Sequence, residues 1–160
     1  MKKIIMTILV VGLLLLTGCG EEEAVPTESP LPTQKSTMET LTIYSIDSDS
    51  MALVPVMVKK KKQTYSAEYI TYLVTQNLDD EDIRIDHVEQ QKGTVIVSFS
   101  ADGKPVTGCS KKMETLILNC LASSLLDNVP GCKKVIYRCE DRAYKSEHRT
   151  FKRNEVYASE

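Results

Sequence analysis

The sequence contains no tryptophan, only two phenylalanines and only two histidines. So few large aromatic rings disfavour an aromatic-lined carbohydrate groove. With a formal net charge of −2, the chain also lacks the basic field that nucleic-acid binding requires. Neither His87 nor His148 lies in a catalytic motif, and no Gly-x-Ser-x-Gly or His-Glu-x-x-His pattern is present. The sequence therefore predicts neither an enzyme nor a nucleic-acid-binding protein.

Motifs for metals and cofactors are also missing. The chain has no Cys-x-x-Cys pair and no glycine-rich loop suited to a phosphate. The acidic run 79–82 lacks the glycine and the alternating ligands of a calcium-binding loop. No pattern brings two acidic residues together across a cleft for glycan cleavage. We therefore expect no metal ion and no cofactor.

The main hydrophobic run lies near the N-terminus, from Ile4 to Gly18. It is shorter than the roughly twenty residues that a transmembrane helix needs. Lys2 and Lys3 precede it, and acidic residues follow it instead of a basic stop-transfer flank. A basic start, an apolar run and small residues before a cysteine predict a bacterial export signal.

The end of this run, Leu16-Thr17-Gly18-Cys19, resembles a lipobox, the signal peptidase II site of bacterial lipoproteins. On this resemblance, the peptidase recognises Leu16, Thr17 and Gly18, and the mature chain begins at Cys19. The Cys19 thiol would carry a diacylglycerol, whose two acyl chains hold a protein firmly to a membrane. The resemblance implies a lipid-anchored protein on the extracytoplasmic face of the cell membrane.

Composition divides the chain into three regions. Residues 1–18 form the predicted signal peptide. Residues 19–37 hold the lipidated cysteine and a segment rich in Pro, Glu, Ser and Thr. Such a segment buries too little apolar surface to offset its ordering entropy, so we expect a disordered tether. Residues 38–160 are enough for one folded domain.

Hydrophobic periodicity within residues 38–160 predicts an α+β domain. Ser66 and Ser110 are the predicted N-caps of its two helices. Pro55 lacks an amide donor, which places it at a sheet edge or a bulge. The order β-β-α-β-β-α-β, with a possible final β, fits a small mixed or antiparallel sheet with two helices on one face. The predicted strands are 41–46, 53–58, 83–88, 94–100, 133–139 and 154–158, and the predicted helices are 67–77 and 111–127.

Four cysteines lie in the predicted domain, namely Cys109, Cys120, Cys132 and Cys139. An exported protein can form disulfides, but sequence alone cannot choose among the three full pairings. Cys120 and Cys132 fit as small core residues, so the free buried thiol is the preferred interpretation. The lysines at 59–62 are interpreted as a solvated strand end that resists edge-to-edge aggregation.

Four runs together carry a family resemblance. Gly93–Ser100 resembles a hairpin strand, Glu114–Leu125 a helix, and Asn128–Tyr137 a Pro-Gly turn followed by a strand of the GerMN domain. Leu41–Tyr44 with Leu53–Val56 is similar to the opening hairpin of that domain. The GerMN domain is named for a spore-germination protein, and its tandem pair contrasts with the single domain of this chain.

The resemblance implies an extracytoplasmic α+β module without a catalytic constellation, in a family linked with sporulation, germination and envelope assembly. Together with the lipobox, it predicts a lipid-anchored interaction module of the cell envelope. Its partners would be the membrane, through diacylglyceryl-Cys19, and another envelope protein; oligomerisation stays open. The alternatives are a ligand- or glycan-binding lipoprotein and an envelope hydrolase.

Overall fold

The computed structural model describes residues 37–78 and 82–160. The predicted signal peptide and the lipidation site lie outside these residues, as does the predicted tether up to residue 36. The described part has an α+β fold, which confirms the predicted class. Its elements are β1 (Met38–Asp47), β2 (Ala52–Lys61), α1 (Ala67–Gln76), β3 (Ile85–Gln91), β4 (Thr94–Phe99), α2 (Lys111–Asn128), β5 (Lys134–Cys139), β6 (Arg142–Ala143) and β7 (Val156–Ser159).

The described strands form two sheets, where the sequence predicted one. Strands β1 and β2 pair only with each other, as an antiparallel hairpin. The second sheet has five strands, in which β3 pairs antiparallel with β4 and β4 pairs parallel with β5. Strands β6 and β7 both pair antiparallel with β5, on successive parts of its length. The second sheet is therefore mixed, because α2 connects the parallel strands β4 and β5.

Both helices begin where the sequence predicts. The Ser66 hydroxyl accepts a hydrogen bond from the Tyr69 amide, and the Ser110 hydroxyl accepts one from the Met113 amide. Each cap satisfies one of the amides that a helix start leaves unpaired. The apolar stripe predicted for α1 faces the core, and its buried members are Ala67, Ile70, Leu73, Val74 and Leu78.

Helix α2 occupies the edge of β1 that faces away from β2. The Tyr44 amide of β1 donates to Ser124 Oγ at 2.9 Å. Asn128 Nδ2 donates to the Thr42 carbonyl, also in β1, at 2.8 Å. The edge of β1 that faces away from β2 thus bonds to side chains of α2 instead of to another strand. These side chains supply the hydrogen bonds that a sheet edge otherwise lacks.

The buried surface of helix α2 is wider than the apolar stripe predicted from the sequence. It contacts α1, β1, β2, β5 and β7, so only a narrow part of it remains exposed. Leu118, Ser124 and the charged Glu114 are buried, although the sequence pattern did not include them. A helix packed against two sheets needs more than one apolar stripe, which accounts for the difference.

The two faces of the central strands β4 and β5 are covered by different parts of the chain. Side chains on one face join the main core, among them Val97, Phe99 and Tyr137. On the other face, Arg138 is 8% exposed and bonds to the segment that follows β6. Its Nε donates to the Arg153 carbonyl at 3.2 Å. The C-terminal segment therefore supplies polar cover for the second face.

Candidate functional site

The lipidation residues predicted from the sequence, Leu16, Thr17, Gly18 and Cys19, lie outside the described residues. Their role remains a prediction. Among residues 37–78 and 82–160, no helix is both long and apolar enough to cross a membrane. The geometry of a candidate site therefore comes from the folded domain alone.

A groove lies between helix α1 and strand β3. Its volume is about 390 Å³. Helix α1 contributes one wall through Glu68, Thr71, Tyr72 and Thr75, and the segment Ile83–Val88 contributes the facing residues. Volumes of roughly 300–1,000 Å³ are typical of binding sites in proteins. The groove is thus large enough to take part of a ligand or of a polypeptide chain.

The outer edge of β3 borders this groove and has no strand partner among the described residues. Strand β3 joins β4 through the two-residue turn Lys92-Gly93, so alternate main-chain groups face away from β4. Val88 and Gln90 occupy such positions, and Ile85 does so on the other side of a bulge. No backbone hydrogen bond from another described residue reaches the outward groups of Val88. An edge in this state can pair with another extended chain.

Two side chains of α1 distinguish the groove from ordinary surface. Tyr72 is 56% exposed, which is high for a large aromatic ring. Thr71 is 2% exposed, and its hydroxyl has no hydrogen-bond partner in the described part of the chain. A buried hydroxyl without a partner destabilises a protein by roughly 1–3 kcal/mol. The groove wall therefore combines an exposed aromatic ring with an unsatisfied polar group.

His87 lies where this groove meets a second cleft. Its Nδ1 is 3.0 Å from Asp86 Oδ2, and its Nε2 is 3.2 Å from Asp141 Oδ1. Both nitrogens can donate to these carboxylates only when the ring carries two protons. Asp141 belongs to the turn between β5 and β6, so His87 ties the bulge of β3 to that turn.

The second cleft lies over the face of the sheet opposite the core. Its volume is about 500 Å³, and its charged lining residues include Arg138, Asp141 and Arg153. Arg138 Nη1 is 3.5 Å from Asp141 Oδ1, while Arg153 Nε donates to the Asp141 carbonyl at 2.9 Å. In this cleft Arg138 thus pairs with the Asp141 carboxylate, while Arg153 bonds to the main chain of the same residue. These contacts hold the C-terminal segment against the sheet.

A buried carboxylate fixes the same segment to α2. Glu114 is fully buried, and its Oε1 accepts hydrogen bonds from Tyr144 Oη at 2.9 Å and from Ser146 Oγ at 2.7 Å. Burial and the Glu114 hydrogen bond both raise the pKa of Tyr144. Glu114 Oε2 lies 3.8 Å from Arg149 Nε. This cluster joins residues 144–149 to the start of α2, and no sequence motif indicated it.

The other residues singled out from the sequence are dispersed. His148 is exposed, and its Nε2 lies 2.8 Å from the Cys109 carbonyl, far from any contact with His87. Cys120 and Cys132 are buried in the core, which confirms their predicted place, and Cys120, Cys132 and Cys139 are free thiols. Burial raises the pKa of Cys120 to about 12.

Part of the acidic run 79–82 lies outside the described residues. Its last member, Asp82, pairs with Arg84 at 3.0 Å. Among the residues that the structure describes, no three His, Cys, Asp or Glu side chains are grouped so as to hold a metal ion. The chemistry that the described geometry offers is hydrogen bonding at the α1–β3 groove, with an adjacent aromatic ring.

Sequence reasoning missed this groove, although one signal was present. Tyr72 falls outside the apolar stripe of α1, and an aromatic residue on the polar face of a helix is a candidate contact residue. The bulge at Asp86 and the position of α1 beside β3 depend on tertiary structure. No local pattern in the sequence predicts them.

Comparison with known proteins gives one match to report. No protein-family model and no curated protein matches the chain. Among solved structures, the chain is similar to the tandem GerMN domains of the sporulation protein GerM from Bacillus subtilis. The TM-score is 0.42 and the sequence identity 15%, over 83% of this chain and 51% of that structure. The chain therefore spans about half the length of the protein it matches.

Proposed function

We propose that the mature chain is a lipid-anchored, extracytoplasmic interaction module of the cell envelope, which binds another envelope protein and performs no covalent reaction. The observation that carries the proposal is the unpaired edge of β3 beside the α1–β3 groove. An exposed edge with an adjacent groove is a recognised means of binding polypeptides. The lipobox at residues 16–19 supports the membrane anchor.

The setting of this module is proposed from the sequence. The order of the GerMN-like runs supports a domain of that type, in a protein of sporulation, germination or envelope assembly. A tether of about eighteen residues, extended at roughly 3 Å per residue, would let the domain reach about 50 Å from its lipid. The domain would then meet partners held in the same membrane or in the layer above it.

Lipid anchoring is tested by replacing Cys19. The wild-type chain should partition into the membrane fraction and incorporate a labelled fatty acid, whereas Cys19→Ser should do neither. Cys139→Ser is the matched control, because this cysteine lies in the folded domain and should leave both results unchanged. An unlipidated wild-type chain, or one found in the cytosol, would remove the anchor from the proposal.

Partner binding is tested in intact cells with photo-crosslinking residues placed at exposed sites over the whole domain. One envelope protein should form an adduct at neighbouring sites and at no others. The absence of adducts at every site would contradict the proposal. Clearing of purified cell wall by the chain, lost on replacement of one acidic residue, would instead establish a hydrolase.

A further inference from the structure

We infer that the α1–β3 groove is a strand-addition site, which receives a short extended segment of a partner polypeptide carrying a basic side chain. The inference rests on the proposed function and names the class of partner. It commits to an extended chain, because the surface that needs a partner is a row of main-chain groups and not a set of side chains.

Main-chain geometry supplies the first argument. The outward groups of Ile85 and Val88 border the groove, and they form no backbone hydrogen bond with another described residue. A strand lying in the groove would pair with them at the usual interstrand spacing of about 4.8 Å. Neither a proline nor a lysine occurs in Ile85–Gln91, so the two protections found on β2 are absent from β3.

Charge supplies the second argument. The ionisable side chains that line the groove are Glu68, Asp86 and His87. Asp86 Oδ2 lies 3.0 Å from His87 Nδ1, and no described lysine or arginine pairs with Asp86 or Glu68. A groove with two carboxylates and one histidine favours a cation in its occupant. A lysine or arginine beside Glu68 would meet a carboxylate that no described cation neutralises.

The walls supply the third argument. Tyr72 offers an exposed ring against which a side chain of the added strand can pack, and tyrosines are enriched in protein interfaces. The unsatisfied hydroxyl of Thr71 lies in the same wall. Helix α1 thus provides side-chain contacts on one side of the occupant, while β3 provides main-chain contacts on the other.

The bulge of β3 limits the length of the occupant. The register shifts between Ile85 and His87, so regular pairing with β4 runs only from His87 to Gln91. A bulge bends its strand and interrupts the alternation of outward groups. The paired part of the occupant should therefore be short, with about four residues or roughly 13 Å of extended chain.

The experiment uses the full mature chain, lipidated and held in detergent micelles, with a fluorescent octapeptide as the probe. The peptide Thr-Val-Lys-Val-Thr-Val-Lys-Val is compared with the same peptide carrying Glu in place of Lys. Two further versions carry N-methyl groups on the odd or on the even residues. N-methylation removes main-chain donors from one edge of the peptide and leaves the protein unchanged.

If a strand is added at β3, the lysine and glutamate peptides should differ in affinity, and so should the two N-methylated versions. The lysine peptide should bind at least about fivefold more tightly than the glutamate peptide, which corresponds to about 1 kcal/mol. One of the two N-methylated versions should lose at least about tenfold in affinity, and the other should bind like the parent. No binding of the lysine peptide, or equal binding of both N-methylated versions, would overturn the inference.

A pair of protein variants locates the binding. Glu68→Lys should lower the affinity for the lysine peptide and raise the affinity for the glutamate peptide, by about fivefold each. The control Asp49→Lys makes the same charge change in the exposed turn between β1 and β2, and should alter neither affinity. Equal effects of the two variants would overturn the inference. A wild-type dimer that the Glu68→Lys substitution dissociates would also overturn it, because the groove would then hold a second copy of the chain.

Failure of the inference differs from failure of the proposed function. A photo-crosslinking residue at position 72 should capture the envelope partner in cells, and excess lysine peptide should prevent the adduct. If the partner is captured only at sites outside the groove, the inference is wrong while the proposed function stands. If no site captures a partner, both are wrong.

Discussion

Strands β2 and β3 both lie at sheet edges, but only β2 carries proline and lysine residues. Pro55 stands in the middle of β2 opposite Tyr44, where its missing amide would have faced outward. Lys59 and Lys61 follow on the same exposed side. Proline and lysine on an edge are common means of preventing its pairing with another chain. Strand β3 has neither, so the two edges differ in what they allow.

A third edge is covered by the chain itself. Strands β6 and β7 pair along β5 and cover its side that faces away from β4, whereas β3 lies at the opposite edge of the five-stranded sheet. The cover depends on the buried cluster around Glu114 and Tyr144, because this cluster fixes the C-terminal segment to α2. The fold therefore covers the edge of β1 with α2 and one side of β5 with β6 and β7, protects β2 with proline and lysine, and leaves the edge of β3 accessible beside a groove.

The largest expected effect is a loss of folding stability at alkaline pH. Burial raises the pKa of Tyr137 and Tyr144 above the ordinary 10.0. Above pH 10 the unfolded chain loses protons that the folded chain keeps, so stability falls with rising pH. Each tyrosine contributes about 1.4 kcal/mol per pH unit until its folded pKa is reached.

Urea unfolding between pH 8 and pH 11 measures this loss. Burial also raises the pKa of Cys120 to about 12, so a smaller decline should begin near pH 9. Tyr144→Phe should be less stable at pH 8, because Glu114 loses a donor, but should lose less stability between pH 10 and pH 11. An unchanged pH dependence in this variant would contradict the role given to Tyr144.

The next largest effect should come from placing a proline in β3, like the one that protects β2. Val88→Pro removes an amide that faces away from β4, so the pairing of β3 with β4 should persist. Binding of the lysine octapeptide should fall by at least about tenfold, or about 1.4 kcal/mol. Fluorescence anisotropy gives the affinity, and circular dichroism checks the fold. Val88→Thr, which keeps the main-chain amide, is the control that should leave peptide binding unchanged.

These elements also show what sequence can predict. The caps Ser66 and Ser110 and the edge position of Pro55 follow from interactions within a few residues, and the structure agrees with each. The contact between Tyr44 and Ser124 joins residues that lie 80 positions apart, and nothing local predicts it. The open edge of β3 depends on the same kind of distant arrangement. The lipobox stays a prediction, because it precedes the described residues.

A smaller effect should come from the contact that closes β1. Ser124→Ala leaves the Tyr44 amide without its acceptor, which should lower the free energy of unfolding by about 1–2 kcal/mol. Ser123→Ala is the matched control on the same helix and should change stability by less than about 0.5 kcal/mol. Urea unfolding at pH 7 compares them. Equal losses would mean that the β1 edge does not depend on α2 for its hydrogen bonds.

The smallest effect should follow from removing the protection of β2. Replacing Pro55 by Val restores an outward amide, and Lys59→Thr with Lys61→Thr removes two charges from the same edge. The triple variant should associate weakly, because a single short edge offers few hydrogen bonds and each contributes only about 1 kcal/mol net. Sedimentation velocity over a concentration series should show a rising sedimentation coefficient for the variant and a constant one for the wild type. If both behave alike, Pro55 and the lysines do not protect β2, and the contrast between the two edges must come from the groove beside β3.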